Sequence, residues 1–105
     1  GDVISNYSDD RLKDRRANID NALDKLTKLN GFYYAPNRTA LQLGLEKNQM
    51  SKVGVSAQEC QEVLPEVVKE AAIGQGYLTV QYEKLVPLLI EAIKELNAKV
   101  EKLGG

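Results

Sequence analysis

The sequence contains no histidine and a single cysteine among its 105 residues. Without histidine, the Ser-His-Asp and Cys-His catalytic systems are excluded within one chain. The same absence leaves too few ligands for a transition-metal site, so we expect no metal and no cofactor. Cys60 cannot form an internal disulfide and lies in an apolar-periodic segment. We therefore predict that Cys60 is a small residue of the hydrophobic core. Any covalent chemistry is left to a hydroxyl activated by a lysine or a carboxylate.

The sequence also lacks a large net charge and any long apolar run. The 14 basic and 15 acidic side chains leave a net charge of −1, which supplies no field to attract nucleic acid or anionic lipid. No apolar run approaches the roughly 18 to 20 residues of a membrane span. We therefore expect that the protein binds no nucleic acid and does not associate with a membrane. The length suits one domain with a modest core.

Hydrophobic periodicity predicts a helix and two strands in the first half of the chain. Apolar residues recur at steps of three and four within residues 11–29, which indicates one amphipathic helix. The aromatic run "GFYYAP" at 31–36 predicts a strand. Leucines alternate over 41–45 and favour a second strand, although the glycine among them weakens this interpretation.

The middle of the chain carries clear helix and turn signals. Ser56 and Glu59 have the spacing of a capping box, which predicts a helix over 57–64 that ends at Pro65. Residues 65–72 are typical of a further helical turn or two. The segment "YLTVQY" at 77–82 alternates as a short strand.

The last element, over residues 83–103, shows the clearest pattern. Its apolar steps run 3, 4, 3, 4, 3, which is a heptad pattern over about two and a half repeats. We interpret it as a helix that begins buried in the globular part and leaves it as a coiled-coil stalk. One amphipathic helix packed on its own domain is the alternative. The predicted interface, called the seam below, comprises Val86, Leu89, Ile93, Leu96, Val100 and Leu103.

The stretch "NYSDDRLKDRR" at 6–16 allows two interpretations. Ser8 can be the N-cap of a helix, with acidic residues complementing the helix dipole in the first turn. Alternatively, Ser8 is a nucleophile and Lys13 is its base. Spacing alone favours the cap.

Four segments in order carry a family resemblance: "SDDRLK", "GFYY", "VGVSAQECQEVLPEVV" and "YLTVQYEKLVPLLIEAIKEL". Together they resemble the chaperone-of-endosialidase domain, a self-cleaving C-terminal domain of bacteriophage tail spikes and tail fibres. The resemblance covers roughly residues 8–103. It implies a mainly α fold with one or two small β-hairpins and a long C-terminal helix in a parallel trimeric coiled coil.

The resemblance also implies partners and a place of action. Family members bring three chains into register, help a β-rich stalk fold, and then cut themselves off. We therefore expect a homotrimer that contacts the β-rich stalk of its own parent chain. Residues 1–7 would be the end of that chain, and 8–105 the chaperone domain, with a globular part over about 8–85. Assembly would take place in the host cytoplasm, with the fibre in the virion tail and this domain released.

A serine-lysine dyad is assigned to this motif in the family, which implies that Ser8 is the nucleophile and Lys13 the general base. A serine hydroxyl is inert unless a base lies within hydrogen-bond reach, and a lysine serves as base only in its neutral form. We expect cleavage between Tyr7 and Ser8, and cleavage between Ser8 and Asp9 stays open. Supporting roles are open for Asp9, Arg11, Asn18 and Glu59.

Two other functions remain open from the sequence. The first is a structural trimerisation cap without cleavage, and the second is the self-releasing domain of a membrane-bound transcription factor. The seam itself has β-branched residues alternating with leucine, which favours parallel dimers. The family resemblance implies trimers instead, and we follow it because the pattern is short.

Overall fold

The computed structural model describes residues 7–104. Within that range the chain forms four α-helices and four three-residue strands. Residue 7 is the one described member of the predicted 1–7 segment, so the rest of that segment, like residue 105, lies outside the described residues. The helices are α1 (Ala22–Thr27), α2 (Arg38–Gln42), α3 (Ala57–Val63) and α4 (Val86–Gly104). The strands are β1 (Phe32–Tyr34), β2 (Lys52–Gly54), β3 (Val68–Glu70) and β4 (Leu78–Val80).

The strands form two antiparallel pairs, β1 with β2 and β3 with β4. In the first pair Tyr33 faces Val53, and in the second Lys69 faces Thr79. The predicted aromatic strand and the strand in "YLTVQY" are therefore confirmed. The helix-rich architecture with small antiparallel pairs and a long C-terminal helix also agrees with the expected fold class.

The core lies where α1 packs against the first half of α4. Ala22, Leu88 and Ala92 are almost completely buried there. Partly buried side chains surround these three: Ile19, Leu23, Leu26, Leu29, Leu64 and Leu85. Cys60 is fully buried as predicted, and this burial, with the nearby Glu59 charge, raises the pKa of its thiol.

The helix predicted over residues 11–29 is much shorter in the structure. Residues Asp10–Leu12 form one 3₁₀ turn, and regular helix begins only at Ala22. Asn21 has a left-handed backbone with φ of 47°, which prevents helix from continuing towards the N-terminus. The segment before Ile19 also offers no apolar face that could pack against the core. Packing, which sustains most helices in proteins, therefore supports only the last two turns.

Two further predictions about local structure were wrong. The alternating leucines at 41–45 belong to helix α2 and the turn after it, because the Asn37 side chain caps the helix by accepting from the Ala40 amide at 3.0 Å. Gly44, with φ of 75°, closes that turn. Residues 65–72 contain one 3₁₀ turn, Pro65–Val67, and then β3, whose pairing with β4 replaces the expected helix.

The helix predicted after Ser56 is confirmed. The Ser56 hydroxyl accepts from the Glu59 amide at 3.2 Å. The Glu59 carboxylate does not complete the reciprocal half of a capping box; it accepts instead from the Asn30 side-chain amide at 3.3 Å. Glu59 thus ties α3 to the loop before β1.

The C-terminal helix is confirmed almost to the residue. A 3₁₀ turn at Tyr82–Leu85 leads into α4, and Pro87 lies in its first turn. There its missing N–H costs no hydrogen bond. All six seam residues are exposed, between 41% for Leu89 and 88% for Leu103. The helix therefore buries one face against α1 and leaves its seam on the surface.

Gly54 offers a direct test of the packing between β2 and the turn before α4. A Cβ added there would lie 2.9 Å from the Tyr82 hydroxyl and 3.1 Å from the Tyr34 ring. The Tyr82 hydroxyl also accepts from the Val55 amide at 3.3 Å. We expect Gly54→Ala to lower the free energy of unfolding in urea by about 1–3 kcal/mol through overpacking.

Gly31→Ala is the matched control for Gly54→Ala, because no atom of the described residues lies within 4 Å of a Cβ at that position. Its urea midpoint should stay unchanged or rise slightly. Adding Tyr82→Phe to Gly54→Ala removes the nearest atom and should recover part of the loss. Equal unfolding free energies for the two alanine variants would contradict this packing.

Candidate functional site

Ser8 and Lys13 meet on the surface through a single tight turn. The Lys13 Nζ donates a hydrogen bond to the Ser8 Oγ at 3.0 Å across five residues. The turn that brings them together is the 3₁₀ turn Asp10–Leu12, closed by the Leu12 amide bound to the Asp9 carbonyl at 3.0 Å. Both side chains are exposed. A hydroxyl and an amine thus lie within proton-transfer distance.

Asp9, rather than Ser8, caps this turn. Its Oδ1 accepts from the Arg11 amide at 2.9 Å, and its Oδ2 pairs with the Arg11 guanidinium at 2.8 Å. The hydrogen bonds from Arg11 lower the pKa of the Asp9 carboxyl, and the same pair raises the pKa of Arg11. The interpretation of Ser8 as the cap is therefore wrong. With Asp9 in that role, the Ser8 hydroxyl is bound to Lys13.

Two open grooves flank the peptide bond between Tyr7 and Ser8. The first, of about 710 Å³, has apolar walls from Ile19, Leu64, Val67 and Pro87. The second, of about 620 Å³, is lined mainly by the charged residues of 10–16. Tyr7, Ser8 and Lys13 line both grooves, and Tyr7 is 52% exposed. Both residues of the bond predicted to be cut therefore line grooves that are open to solvent.

Sequence reasoning missed three charged residues of the first groove. Glu66, Glu83 and Lys84 line it together with Ser8 and Lys13. The first follows Pro65, and the other two lie in the turn before α4. All three occur within the segments that carry the family resemblance. That membership was the one signal available, because nothing in their spacing points to Ser8.

The remaining predicted residues lie in different surroundings. The Asn18 side-chain amide donates to the Glu91 carboxylate at 3.5 Å, and Asn18 shares a shallow groove with Lys13. Glu59 lines neither groove next to Ser8 and binds Asn30 instead. The structure therefore gathers Tyr7, Ser8 and Lys13, leaves Asn18 adjacent, and places Glu59 elsewhere.

The described residues contain neither a cluster suited to a metal ion nor a helix suited to a membrane. Across residues 7–104, no group of three or more histidine, cysteine, aspartate or glutamate side chains is arranged to hold a metal ion. Among the helices in that range, none combines the length and the apolar character needed to cross a membrane.

Comparison with known proteins adds a family and three relatives. A peptidase family model described as "Chaperone of endosialidase" matches residues 8–69. The chain is 43% identical over 98 residues to "Long tail fiber protein Gp37" of Enterobacteria phage K3, which covers 91% of this chain and 8% of that protein. The protein of the same name from Enterobacteria phage T2 is equally similar, with 7% of its length covered, and the one from Escherichia phage AR1 is 35% identical over 88 residues. The chain thus spans less than a tenth of the length of these relatives.

Proposed function

The chain belongs to the chaperone-of-endosialidase family, and from that membership we propose that it is the C-terminal intramolecular chaperone of a phage tail fibre, which releases itself by one cleavage at Tyr7–Ser8. The observation that carries the proposal is the 3.0 Å hydrogen bond between Lys13 Nζ and Ser8 Oγ. These are the nucleophile and the base that a chain without histidine can still offer.

The proposed reaction begins when neutral Lys13 accepts the proton of the Ser8 hydroxyl. The Ser8 Oγ attacks the Tyr7 carbonyl carbon, the bond from that carbon to the Ser8 nitrogen breaks, and Lys13 returns the proton to the departing nitrogen. This yields an ester between Tyr7 and Ser8 Oγ and a free Ser8 amine. Water then hydrolyses the ester, which leaves a Tyr7 carboxylate and restores the hydroxyl.

This reaction needs no binding pocket for a separate substrate. Nucleophile and carbonyl are joined by the chain, so proximity replaces binding. The two grooves beside Tyr7–Ser8 give water access for the second step. Cleavage between Ser8 and Asp9 is less consistent with the geometry, because Asp9 is engaged in the cap and the pair with Arg11.

Assembly is the second part of the proposal. The six exposed seam residues on α4 offer an apolar surface through which chains can associate in parallel, and the family membership favours three chains over the two that the residue pattern indicates. The three reported relatives are tail fibre proteins, which supports the β-rich stalk of a parent fibre as the intramolecular partner over a transcription factor. We place assembly in the host cytoplasm, and the finished fibre, without this domain, in the virion tail.

A trimerisation cap without cleavage is the second candidate. In the structure Lys13 donates to Ser8, whereas a base must accept from it, and both side chains face solvent. The same contact can therefore be an ordinary surface hydrogen bond.

N-terminal sequencing of the small fragment from an expressed full-length fibre chain tests the proposal. We expect two products and Ser8 as the first residue of the smaller one. A small fragment that begins with Asp9 would place the cleavage between Ser8 and Asp9 instead. Assembled fibres that contain only the intact chain would contradict the peptidase proposal and favour the trimerisation cap without cleavage.

A further inference from the structure

Helix α4 has two faces with different neighbours. Leu88, Glu91, Ala92 and Glu95 form one stripe, called the docking face here, against α1 and the segment before it. At 100° per residue the seam lies roughly a third of a turn away on the same helix. Side chains on the docking face are buried or partly buried, whereas the seam is exposed.

The Glu95 side chain caps the N-terminus of α1, although the two lie more than 70 positions apart in the sequence. Its two carboxylate oxygens accept from the Ala22 and Leu23 amides, each at 2.9 Å. Asn21, the residue before α1, supplies no side-chain cap of its own. The hydrogen bonds from Leu23 and Ala22 lower the pKa of the Glu95 carboxyl below its ordinary value of 4.5. The carboxylate form is thus the one that the folded chain stabilises.

Glu91, one turn earlier on the docking face, contacts the segment closer to the dyad. Its carboxylate accepts from the Asn18 amide at 3.5 Å and from Lys94 at 3.3 Å. Its side chain is 20% exposed. The two carboxylates therefore bind residues 18 and 22–23 in succession.

The segment that carries the dyad has few other anchors. In the described part of the chain, the side-chain hydrogen bonds and ion pairs of residues 8–16 join members of that segment to each other. Asn18 is the first residue after it with a side-chain hydrogen bond to the body of the domain. The segment is thus joined to the body of the domain through Ile19, which packs against the core, and through the polar contacts that residues 18, 22 and 23 make with α4.

We propose that Glu95, assisted by Glu91, is a positioning residue for the cleavage: Glu95 fixes the first residues of α1 on the docking face, Glu91 holds Asn18 before them, and the two contacts together place Ser8 and Lys13 in their groove. Cleavage then requires α4 to be folded and docked, and the seam of the same helix is where the chains would associate. This inference rests on the proposed function. It assigns to the helix a second role beside assembly.

Glu95→Gln in the full-length fibre chain is the direct test. The amide keeps the shape but loses the charge and one of the two acceptor oxygens. We expect the cleavage rate, followed by mass spectrometry, to fall by about 10- to 100-fold, because small misplacements of reacting groups cost this much. Glu95→Asp keeps the carboxylate on a shorter side chain and should give an intermediate rate. Helical circular dichroism and assembly mass should match the parent.

Glu101→Gln is the matched control, since Glu101 lies on the same helix and, among residues 7–104, its side chain binds only Asn97, at 3.1 Å. Its cleavage rate should equal that of the parent. A Glu95→Gln chain that is folded, assembled and cleaved at the parent rate would overturn the inference while leaving the proposed function intact. Should Glu95→Gln not fold, Glu95→Asp takes its place, and a parent cleavage rate in that folded chain would overturn the inference.

A readout independent of cleavage separates the two proposals. Lys13 and Lys84 line the same groove, so a short amine-reactive cross-linker should join them in a Ser8→Ala background. Adding Glu95→Gln should lower the yield of that link several-fold, and adding Glu101→Gln should not. Equal yields would refute the positioning role even if the parent chain never cleaves, whereas a parent that does not cleave contradicts only the peptidase proposal.

Discussion

Ser8→Ala is expected to abolish release of the domain from a full-length fibre chain. The change removes the nucleophile that attacks the Tyr7–Ser8 peptide bond in the proposed reaction, so the small fragment should fall below detection in denaturing gels and mass spectra. The hydroxyl binds only Lys13 among the described residues, so folding should be unaffected. Ser51→Ala is the control, because this serine is exposed and lies apart from both grooves beside Ser8. It should cleave as the parent does.

Lys13→Arg separates a catalytic lysine from a structural one. Arginine keeps the positive charge and can still donate to the Ser8 hydroxyl, but it does not deprotonate in proteins and therefore cannot act as a base. We expect the cleavage rate to fall by about 10²- to 10⁴-fold, the usual contribution of general base catalysis. Cleavage of Lys13→Arg at the parent rate would exclude Lys13 as the base and would point to another proton acceptor beside Ser8.

Ile93→Lys is expected to break the assembly into single chains. Ile93 is 63% exposed at the centre of the seam, so its side chain would be buried only through other chains. Losing that burial costs about 2 kcal/mol per chain, or about 6 kcal/mol for three chains, which lowers the association constant by about 10⁴-fold. Three buried ammonium groups add to the loss. Light scattering should show three chains for the parent and one for the variant at the same concentration.

Met50→Lys is the control for the seam, since Met50 is exposed to a similar degree, 70%, and lies between β2 and the turn before it rather than on α4. Its assembly mass should match the parent. A parent with the mass of one chain at high concentration would refute the trimer. A mass of two chains would favour the dimer that the alternation of β-branched residues and leucine indicates.

The elements that the sequence predicted well are those specified by neighbours along the chain. The cap at Ser56 and the helix α4 depend on residues three or four positions apart. The aromatic strand β1 likewise follows from local β-propensity. The predictions that were wrong, over 11–29, 41–45 and 65–72, are places where a competing local cap or a distant partner decided the outcome. Helix α1 illustrates this, because it extends only as far as α4 supports it.

The candidate site shows the same division. The distance between Ser8 and Lys13 results from one 3₁₀ turn within the motif, so residue spacing could indicate it. The catalytic role of this pair stays a prediction. The walls of the groove come from residues 64–67 and 83–87, which lie far from the motif in sequence. Glu95 reaches Ala22 across 73 positions, and no local pattern marks it as a partner.

By itself the sequence determined that no imidazole is available for catalysis within one chain, and that α4 carries an apolar stripe. These two features could be predicted because side-chain identity and short-range periodicity are properties of the sequence that do not depend on tertiary contacts. The tertiary structure decided where the helix before β1 begins, that Asp9 rather than Ser8 caps the first turn, and which carboxylates of α4 bind Asn18, Ala22 and Leu23. These features depend on the packing of α1 against α4, which brings together groups that the chain separates by most of its length.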